Sequence, residues 1–395
     1  MTRYFIRTQS KAHFSALSPM FKESLSYVSR SEPEVVIADL PEEEANRLSG
    51  EGAELIPSRQ YEPFPIQPTD YIYQPLEHHP RNLTDVLRHN KADQAWAQSR
   101  GAGVHIAIVD TGICGSMAEF PAAKRSPHSW AASGLGSAWT DMRGHGSMTG
   151  GVAAATTASH GRYNGVAPDA SLISCKTSFD DTELYQIYDH LIQLVTSGKI
   201  GRLVVNNSYG AYQCSPPAIS LTDPFPAIVQ RAMTRGIVPV FAAGNNHVVV
   251  CANQPSACGP NTIWGVNSVD DVICVGTVNE NNVMDQPPAS PGGYTHRDSS
   301  RGPGQFAHRT TKPDCVAPTY GEVIWGCGYT AMEWWGTSGA APQVAGLAAL
   351  MLAKDSTLTP RQIQDIITQT CVALPVAASC AGSGLIDCRA AVAGA

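Results

Sequence analysis

The strongest constraint on this chain is an alternation of two kinds of apolar stretch. Residues 104–109, 170–177, 202–206 and 238–243 are short runs rich in Val, Ile and Ala, and helical spacing fills 183–196 and 226–235 between them. Runs this apolar suit strands buried on both faces, and strand-helix alternation of this kind predicts a parallel sheet with helices on both faces. A further strand is expected at 272–278 and a helix at 83–99. A closing helix is expected over 356–374, opened by Leu358-Thr359-Pro360 with Ile363, Ile366 and Ile367 on one face. The expected fold class is therefore α/β.

The front of the chain has a different rhythm. Short β-branched runs at 4–6, 34–38 and 53–56 bracket helical spacing at 13–27 and at 41–50, which gives a β-α-β-α-β unit over residues 1–61. Asp39 is placed to cap the second helix, with Pro41 in its first turn and Glu42, Glu43 and Glu44 at the positive end of its dipole. A unit of that size is marginal alone, so it is expected to lean on the rest. Residues 62–81 carry Pro63, Pro65, Pro68, Pro75 and Pro80 with little periodicity and are expected to be a linker. The larger domain then occupies 82–395.

Several functions are excluded early. A net charge of −7 leaves no electrostatic footprint for nucleic acid, and the absence of a long apolar run argues against a transmembrane helix. The N-terminus lacks the apolar core of a secretory signal, which leaves the cytoplasm, a non-classical export route, or secretion from a longer precursor open. Eleven cysteines, all from Cys114 onward, fit reduced thiols or bridges between close neighbours such as Cys251/Cys258, Cys315/Cys327 and Cys371/Cys380/Cys388. No Cys-x-x-Cys spacing points to zinc.

Three polar residues stand out by their settings. Asp110 ends the 104–109 strand in Asp110-Thr111-Gly112, where sites are built in open α/β sheets. His145 lies between glycines in Gly144-His145-Gly146-Ser147 at the start of an apolar helix. Ser338 lies in Gly336-Thr337-Ser338-Gly339-Ala340-Ala341-Pro342, a small-residue loop running into another apolar helix, whose N-terminus offers free N–H groups to a developing negative charge. A Gly-x-Ser-Gly string alone is cheap by chance, and a packing turn explains it equally well.

Together, in the order Asp, His, Ser, the three segments resemble the motifs of the subtilisin-like serine proteases (subtilases). Gly165-Val166-Ala167-Pro168, Asn207-Ser208-Tyr209-Gly210, Ala242-Ala243-Gly244-Asn245, Ser299-Ser300-Arg301-Gly302-Pro303, Lys312-Pro313-Asp314-Cys315-Val316-Ala317-Pro318 and Gly382-Ser383-Gly384-Leu385-Ile386-Asp387 extend the likeness from about residue 80 to the end. The resemblance implies a subtilisin-like parallel sheet and a serine endopeptidase with Asp110, His145 and Ser338 as its triad. It assigns Asn245 to the oxyanion, and Ser208, Tyr209 and Gly210 with Ala242, Ala243 and Gly244 to substrate binding. The front unit is similar to the inhibitory propeptide of many family members, which implies self-processing between Tyr61 and Arg81 and a product-like strand at 56–64 in the cleft.

The implied partners are a protein or peptide substrate and the chain's own N-terminal unit. No cofactor is implied for catalysis. The resemblance leaves structural calcium open with no ligands assigned: Glu119, nine residues beyond Asp110, is suitably placed, but 156–164 lacks the usual asparagine-rich ligands. Gly339, Gln343 and Thr319 depart from the usual family residues. Trp334 and Trp335 are expected to line the cleft or pack in the core, and Cys114 to be either a reactive thiol or a buried inert one. The readings to separate are an endopeptidase, a specialised processing protease or macrocyclase-like transpeptidase, and a silent peptide-binding protein.

Overall fold

The computed structural model describes residues 1–63, 81–288 and 292–395. The front unit contains β1 (Thr2–Arg7), α1 (Lys11–Leu17), β2 (Leu25–Val28), β3 (Val35–Leu40), α2 (Glu42–Gly50) and β4 (Glu54–Pro57). Its sheet has the order β2-β3-β1-β4, with every pair antiparallel. The expected helix over 13–27 stops at Leu17, because Pro19 turns the chain over Ser18–Met20 and frees it for β2. Asp39 does not cap α2. It stays in β3 and pairs with Arg3 at 3.0 Å, while Pro41 takes the cap position and the three glutamates fill the first turn.

Alternation along β3 explains why this unit leans on its neighbour. Val36, Ala38 and Leu40 pack with Ile6, Leu17 and Leu48 beneath the unit's own helices. Val35 and Ile37 point the other way and join Phe5 and Ile56 in a cluster with residues of the larger domain. Both faces of so small a sheet are thus buried, one of them only by the partner domain.

After β5 (Glu62–Pro63), the larger domain runs through α3 (Leu83–His89), α4 (Ala92–Ala95), β6 (His105–Asp110), β7 (Trp130–Ala131), α5 (His145–Ala154), β8 (Ser171–Lys176) and α6 (Asp181–Thr196). It continues with β9 (Leu203–Asn207), β10 (Tyr209–Gly210), α7 (Pro224–Thr234), β11 (Val238–Ala242), β12 (Ile273–Val278), β13 (Cys315–Pro318), β14 (Gly321–Trp325) and β15 (Gly328–Met332). It closes with α8 (Gly336–Lys354), α9 (Pro360–Thr370), α10 (Ala378–Ala381) and α11 (Cys388–Gly394). The parallel sheet has the order β13-β12-β11-β9-β6-β8-β7. The chain steps from β6 to β8 on one side and to β9 on the other, so a switch point lies at the carboxyl end of β6.

Helices α5 and α8 cover one face of the sheet, and α6 and α7 cover the other. The expected helix at 83–99 is two helices, since Lys91 takes a left-handed conformation and the buried Asn90 side chain accepts the Ala92 N–H and donates to Gln343 Oε1. The closing helix opens at Thr359-Pro360, with Thr359 and Gln362 forming a reciprocal cap, and runs over Pro360–Thr370, shorter at both ends than the expected 356–374.

The cysteine pairing differs from the expectation. Bridges join Cys114–Cys327, Cys214–Cys251 and Cys258–Cys380, across 213, 37 and 122 residues, while Cys175, Cys274, Cys315, Cys371 and Cys388 are free. Neighbours in sequence lie on different elements, so close spacing was a poor guide. Cys114 is neither a reactive nor an inert thiol but half of a bridge.

The front unit docks on α6 and α7. Asp189, buried in the middle of α6, accepts the Tyr27 hydroxyl at 2.6 Å and the Arg30 and Ser31 N–H groups at 2.8 and 2.9 Å. Arg59 pairs with Asp223 at 2.8 Å, and its N–H donates to Asp181 Oδ1 at 3.0 Å. The chain then runs past Tyr61, whose N–H donates to Phe179 O at 2.8 Å, into β5. There Glu62 lies opposite Gly210 and Pro63 opposite Tyr209, antiparallel. The strand expected in the cleft over 56–64 therefore begins later: Ile56 and Pro57 remain in β4, paired with β1. Phe64 and most of the proline-rich stretch, 64–80, lie outside the described residues.

Candidate active site

Strand β6 carries Asp110 to the switch point, where its side chain is fully buried. Both carboxylate oxygens lie on the imidazole of His145, at 2.8 and 2.9 Å from Nδ1, and Oδ1 also accepts the Thr111 N–H at 2.7 Å. A carboxylate only accepts, so Nδ1 carries the proton and Nε2 of the neutral ring is an acceptor. Nε2 is buried and has no hydrogen-bond partner among the described residues.

The position of His145 rests on two glycines and a carboxylate. Gly144 has φ 89°, and a Cβ there would strike the indole of Trp325; a Cβ on Gly146 would strike the carbonyl of Gly112. Asp141, buried just before α5, accepts the N–H groups of Arg143, Gly144 and Ser147 and the hydroxyls of Ser147 and Thr111. Thr111 Oγ1 in turn accepts the Gly146 N–H at 2.9 Å, so one buried acid ties the aspartate segment to the first turn of α5. Nothing in the spacing of Asp141 singled it out.

Ser338 lies in the first turn of α8 and is fully buried. Its hydroxyl donates to Ser208 O at 3.4 Å rather than to His145, and its own carbonyl accepts the Ser208 hydroxyl at 3.0 Å. Asn245 follows β11. Its Oδ1 accepts the N–H and the hydroxyl of Thr337 at 3.1 and 2.9 Å, while Nδ2 is buried with no partner among the described residues. Thr337 Oγ1 also accepts the Gly244 N–H at 3.1 Å, so the asparagine and serine segments brace each other. The result is a fixed, unused N–H donor beside the first turn of a helix.

Of the remaining expected residues, Tyr209 and Gly210 form the strand paired with β5, with Ser208 just before it, and Ala242 ends β11 with Ala243 and Gly244 following. Asn267 holds the two segments together by donating from Nδ2 to Tyr209 O and Ala242 O, both at 2.8 Å. It sits in a short turn with no sequence signal. Trp334 and Trp335 are fully buried and do not wall the cleft. Trp334 stacks on Tyr294 at 6.4 Å, and Trp335 donates to Gly321 O at 2.9 Å. Gln343 spans three elements, donating to Pro318 O and Gly339 O and accepting from Asn90.

Glu119 is buried. Its Oε1 accepts the Arg162 N–H at 2.6 Å and the Tyr329 hydroxyl, and Oε2 has no partner among the described residues. The Arg162 guanidinium stacks over Tyr163 and Tyr329 and pairs with Glu322 at 2.9 Å. Calcium takes six to eight oxygens. Here an N–H and an O–H donor occupy one oxygen of the buried acid and a guanidinium takes the nearby Glu322, and that set does not fit the ion.

Comparison with known proteins gives one family. The profile of the Subtilase family matches residues 101–384. Subtilisin DY of Bacillus licheniformis is 30% identical over 310 residues, covering 76% of this chain and 95% of its own. Mycosin-4 of Mycobacterium tuberculosis is 29% identical over 324 residues, covering 76% of this chain and 67% of its own. Among solved structures, fervidolysin of Fervidobacterium pennivorans, a keratinolytic enzyme related to subtilisin, superposes with TM-score 0.69 at 19% identity, over all of this chain and 61% of that one. MycP1 of the ESX-1 type VII secretion system gives 0.57 at 20%, over 85% and 90%. At such identities the structures speak for the fold.

Proposed function

The chain belongs to the subtilase family of serine endopeptidases, and from that premise we propose that it is a self-processing zymogen whose chemistry is carried by Asp110, His145, Ser338 and Asn245. His145 Nε2 removes the Ser338 hydroxyl proton as the oxygen attacks a peptide carbonyl, and Asp110 fixes the tautomer and stabilises the imidazolium. The same imidazole returns the proton to the leaving amine, and water then resolves the acyl-enzyme. Asn245 Nδ2 and the Ser338 backbone N–H receive the oxyanion. The observation that carries this reading is the Asp110–His145 pair at 2.8 Å with Nε2 unpartnered among the described residues. The test is a peptide library followed by mass: internal hydrolysis is expected, whereas ligated products would favour transpeptidation and intact peptides a binding protein.

The front unit acts as an intramolecular inhibitor, and the pairing of β5 with β10 supports this because it occupies the strand assigned to substrate. Tyr61 anchors the segment, almost fully buried between Phe225 and Tyr209 at ring distances of 5.5 and 6.3 Å. Docking carries a pH dependence through Asp181. Burial pushes its carboxyl up to about 7 against the Arg59 N–H that lowers it, with Asp180 and Asp223 adding repulsion. A carboxyl raised on docking favours the docked state when protonated. Retention of the cut front unit on gel filtration is therefore expected to fall as pH rises from the ordinary carboxylate range to about 7, and to be level above it. Asp181→Asn should flatten the profile; a profile unchanged by that substitution would remove Asp181 from the device.

The donor set around Glu119 supports a loop pinned by Arg162 instead of calcium. The melting temperature should not move between EDTA and added calcium, and a fall of about 4 °C or more in EDTA, on the order of 2 kcal/mol for a domain of this size, would restore the ion.

A further inference from the structure

The hairpin β14–β15 reaches the His145 imidazole through the Trp325 side chain, beside a backbone bond from the Gly326 N–H to Gly144 O at 3.3 Å. The Trp325 indole stands edge-on to the His145 imidazole, with centroids 6.3 Å apart and planes at 83°, and it fills the space that Gly144 leaves open. Along the same strand, Ile324 packs into α5 at Gly151, so this strand is fitted to the histidine helix at two points one helical turn or more apart. At the hairpin's tip, Cys327 is bridged to Cys114, four residues beyond Asp110 on the segment that leaves β6. Cys114 is otherwise held by its N–H to the Ser147 hydroxyl on α5, at 2.9 Å. The bridge thus closes a ring: aspartate segment, hairpin, Trp325, His145, Asp110.

We propose that Trp325 is a positioning residue for His145 and that the Cys114–Cys327 bridge holds it in place, so that reduction of this bridge switches turnover down without unfolding the protein. The bridge is built asymmetrically. Cys327 is exposed, whereas Cys114 is buried with its Sγ 3.1 Å from the Ser116 hydroxyl. An external dithiol attacks through its thiolate at the exposed Cys327 Sγ. The S–S bond breaks, and Cys114 leaves as a thiolate beside a hydroxyl able to donate to it. The second thiol of the reductant displaces Cys327, so two electrons and two protons pass to the protein and the reductant becomes a cyclic disulfide. With the bridge open, the hairpin's tip keeps the Gly326 N–H bond to Gly144 O at 3.3 Å and the Tyr329 hydroxyl bond to Glu119, but the aromatic edge that limits the imidazole loses its covalent tie to the aspartate segment. Misplacement of a catalytic group by about 1 Å can cost on the order of 10²-fold.

The inference rests on His145 acting as general base. Failure of that reading would appear as no labelling of the oxidised protein by a fluorophosphonate, whereas failure of the present one would appear as equal labelling rates for oxidised and reduced protein. The test uses the processed, folded protein in a graded dithiol buffer, with alkylation and mass mapping of each cysteine. The expected result is a fall of about tenfold or more in kcat with KM little changed. It should follow alkylation of Cys114 and Cys327, and a displaced acid limb in the pH profile of kcat/KM should accompany it. The Cys114→Ser/Cys327→Ser double variant should show the low kcat without reductant and no response to it. Trp325→Ala should do the same, with partial recovery in Trp325→Phe. Equal kcat and pH profiles for oxidised and reduced forms would overturn the proposal, as would loss of far-UV circular dichroism together with activity on reduction, since the bridge would then be a stability staple only. If the dithiol leaves the bridge intact, the double variant decides: wild-type turnover in it overturns the inference.

Discussion

Replacement of Ser338 by alanine is expected to lower kcat on a peptide substrate by about 10⁶-fold and to leave the chain at full length. The magnitude is that of subtilisin, a relative, where loss of the serine or the histidine costs about as much as loss of the whole triad. Its physical basis is that His145 has no proton to take and Asp110 no imidazolium to stabilise once the nucleophile is gone. The fold should survive, because among the described residues the hydroxyl makes a single 3.4 Å bond, to Ser208 O, and the change leaves the first turn of α8 intact. Wild-type protein is expected to shorten by roughly the front unit, so mass spectrometry of the two proteins side by side reads both effects. Equal masses would sink self-processing while leaving proteolysis of other chains untouched; equal kcat would sink the assignment of the nucleophile.

Asn245→Ala carries the second large effect, a loss of about 10²–10³ in kcat with KM nearly unchanged; this range too is that of the corresponding subtilisin asparagine. Oδ1 is spent on the Thr337 N–H and hydroxyl, which leaves Nδ2 as the free donor, buried and unpartnered among the described residues. A donor fixed in that way costs no reorganisation when negative charge develops on the substrate oxygen. Because Asn245 also braces Thr337, the alanine variant loses two hydrogen bonds of structure, and Asn245→Asp is the better partner control. It keeps the Thr337 bonds and replaces the donor by an acceptor, so it should be at least as slow while melting nearer wild type. Unchanged turnover in both variants would remove Asn245 from the reaction.

Much of this site was legible because its residues carry a local signature. Asp110, His145 and Ser338 each sit where an apolar run meets glycines, and the structure puts two of those glycines, Gly144 and Gly146, where a Cβ would collide with Trp325 and Gly112. The alternation that predicted the sheet follows from strands buried on both faces, which is a property of neighbouring residues. What could not be seen depends on contacts made across the chain. Cys114 and Cys327 are 213 residues apart, and close spacing favoured the wrong partners. Asp141 and Asn267 act only through donors brought to them by folding. Trp334 and Trp335 carried no sign of which face they would turn, and both went inward. In the front unit the apolar pattern of 13–27 was shared by a short helix and a strand, and Pro19 divided them.

The most direct test of the catalytic assignment is stoichiometric labelling of the processed protein with a fluorophosphonate, followed by tandem mass spectrometry of its peptides. One phosphonyl group per chain, on Ser338 and lost in His145→Ala, is the result predicted. A label on any other residue, or none on an intact and processed chain, would contradict it.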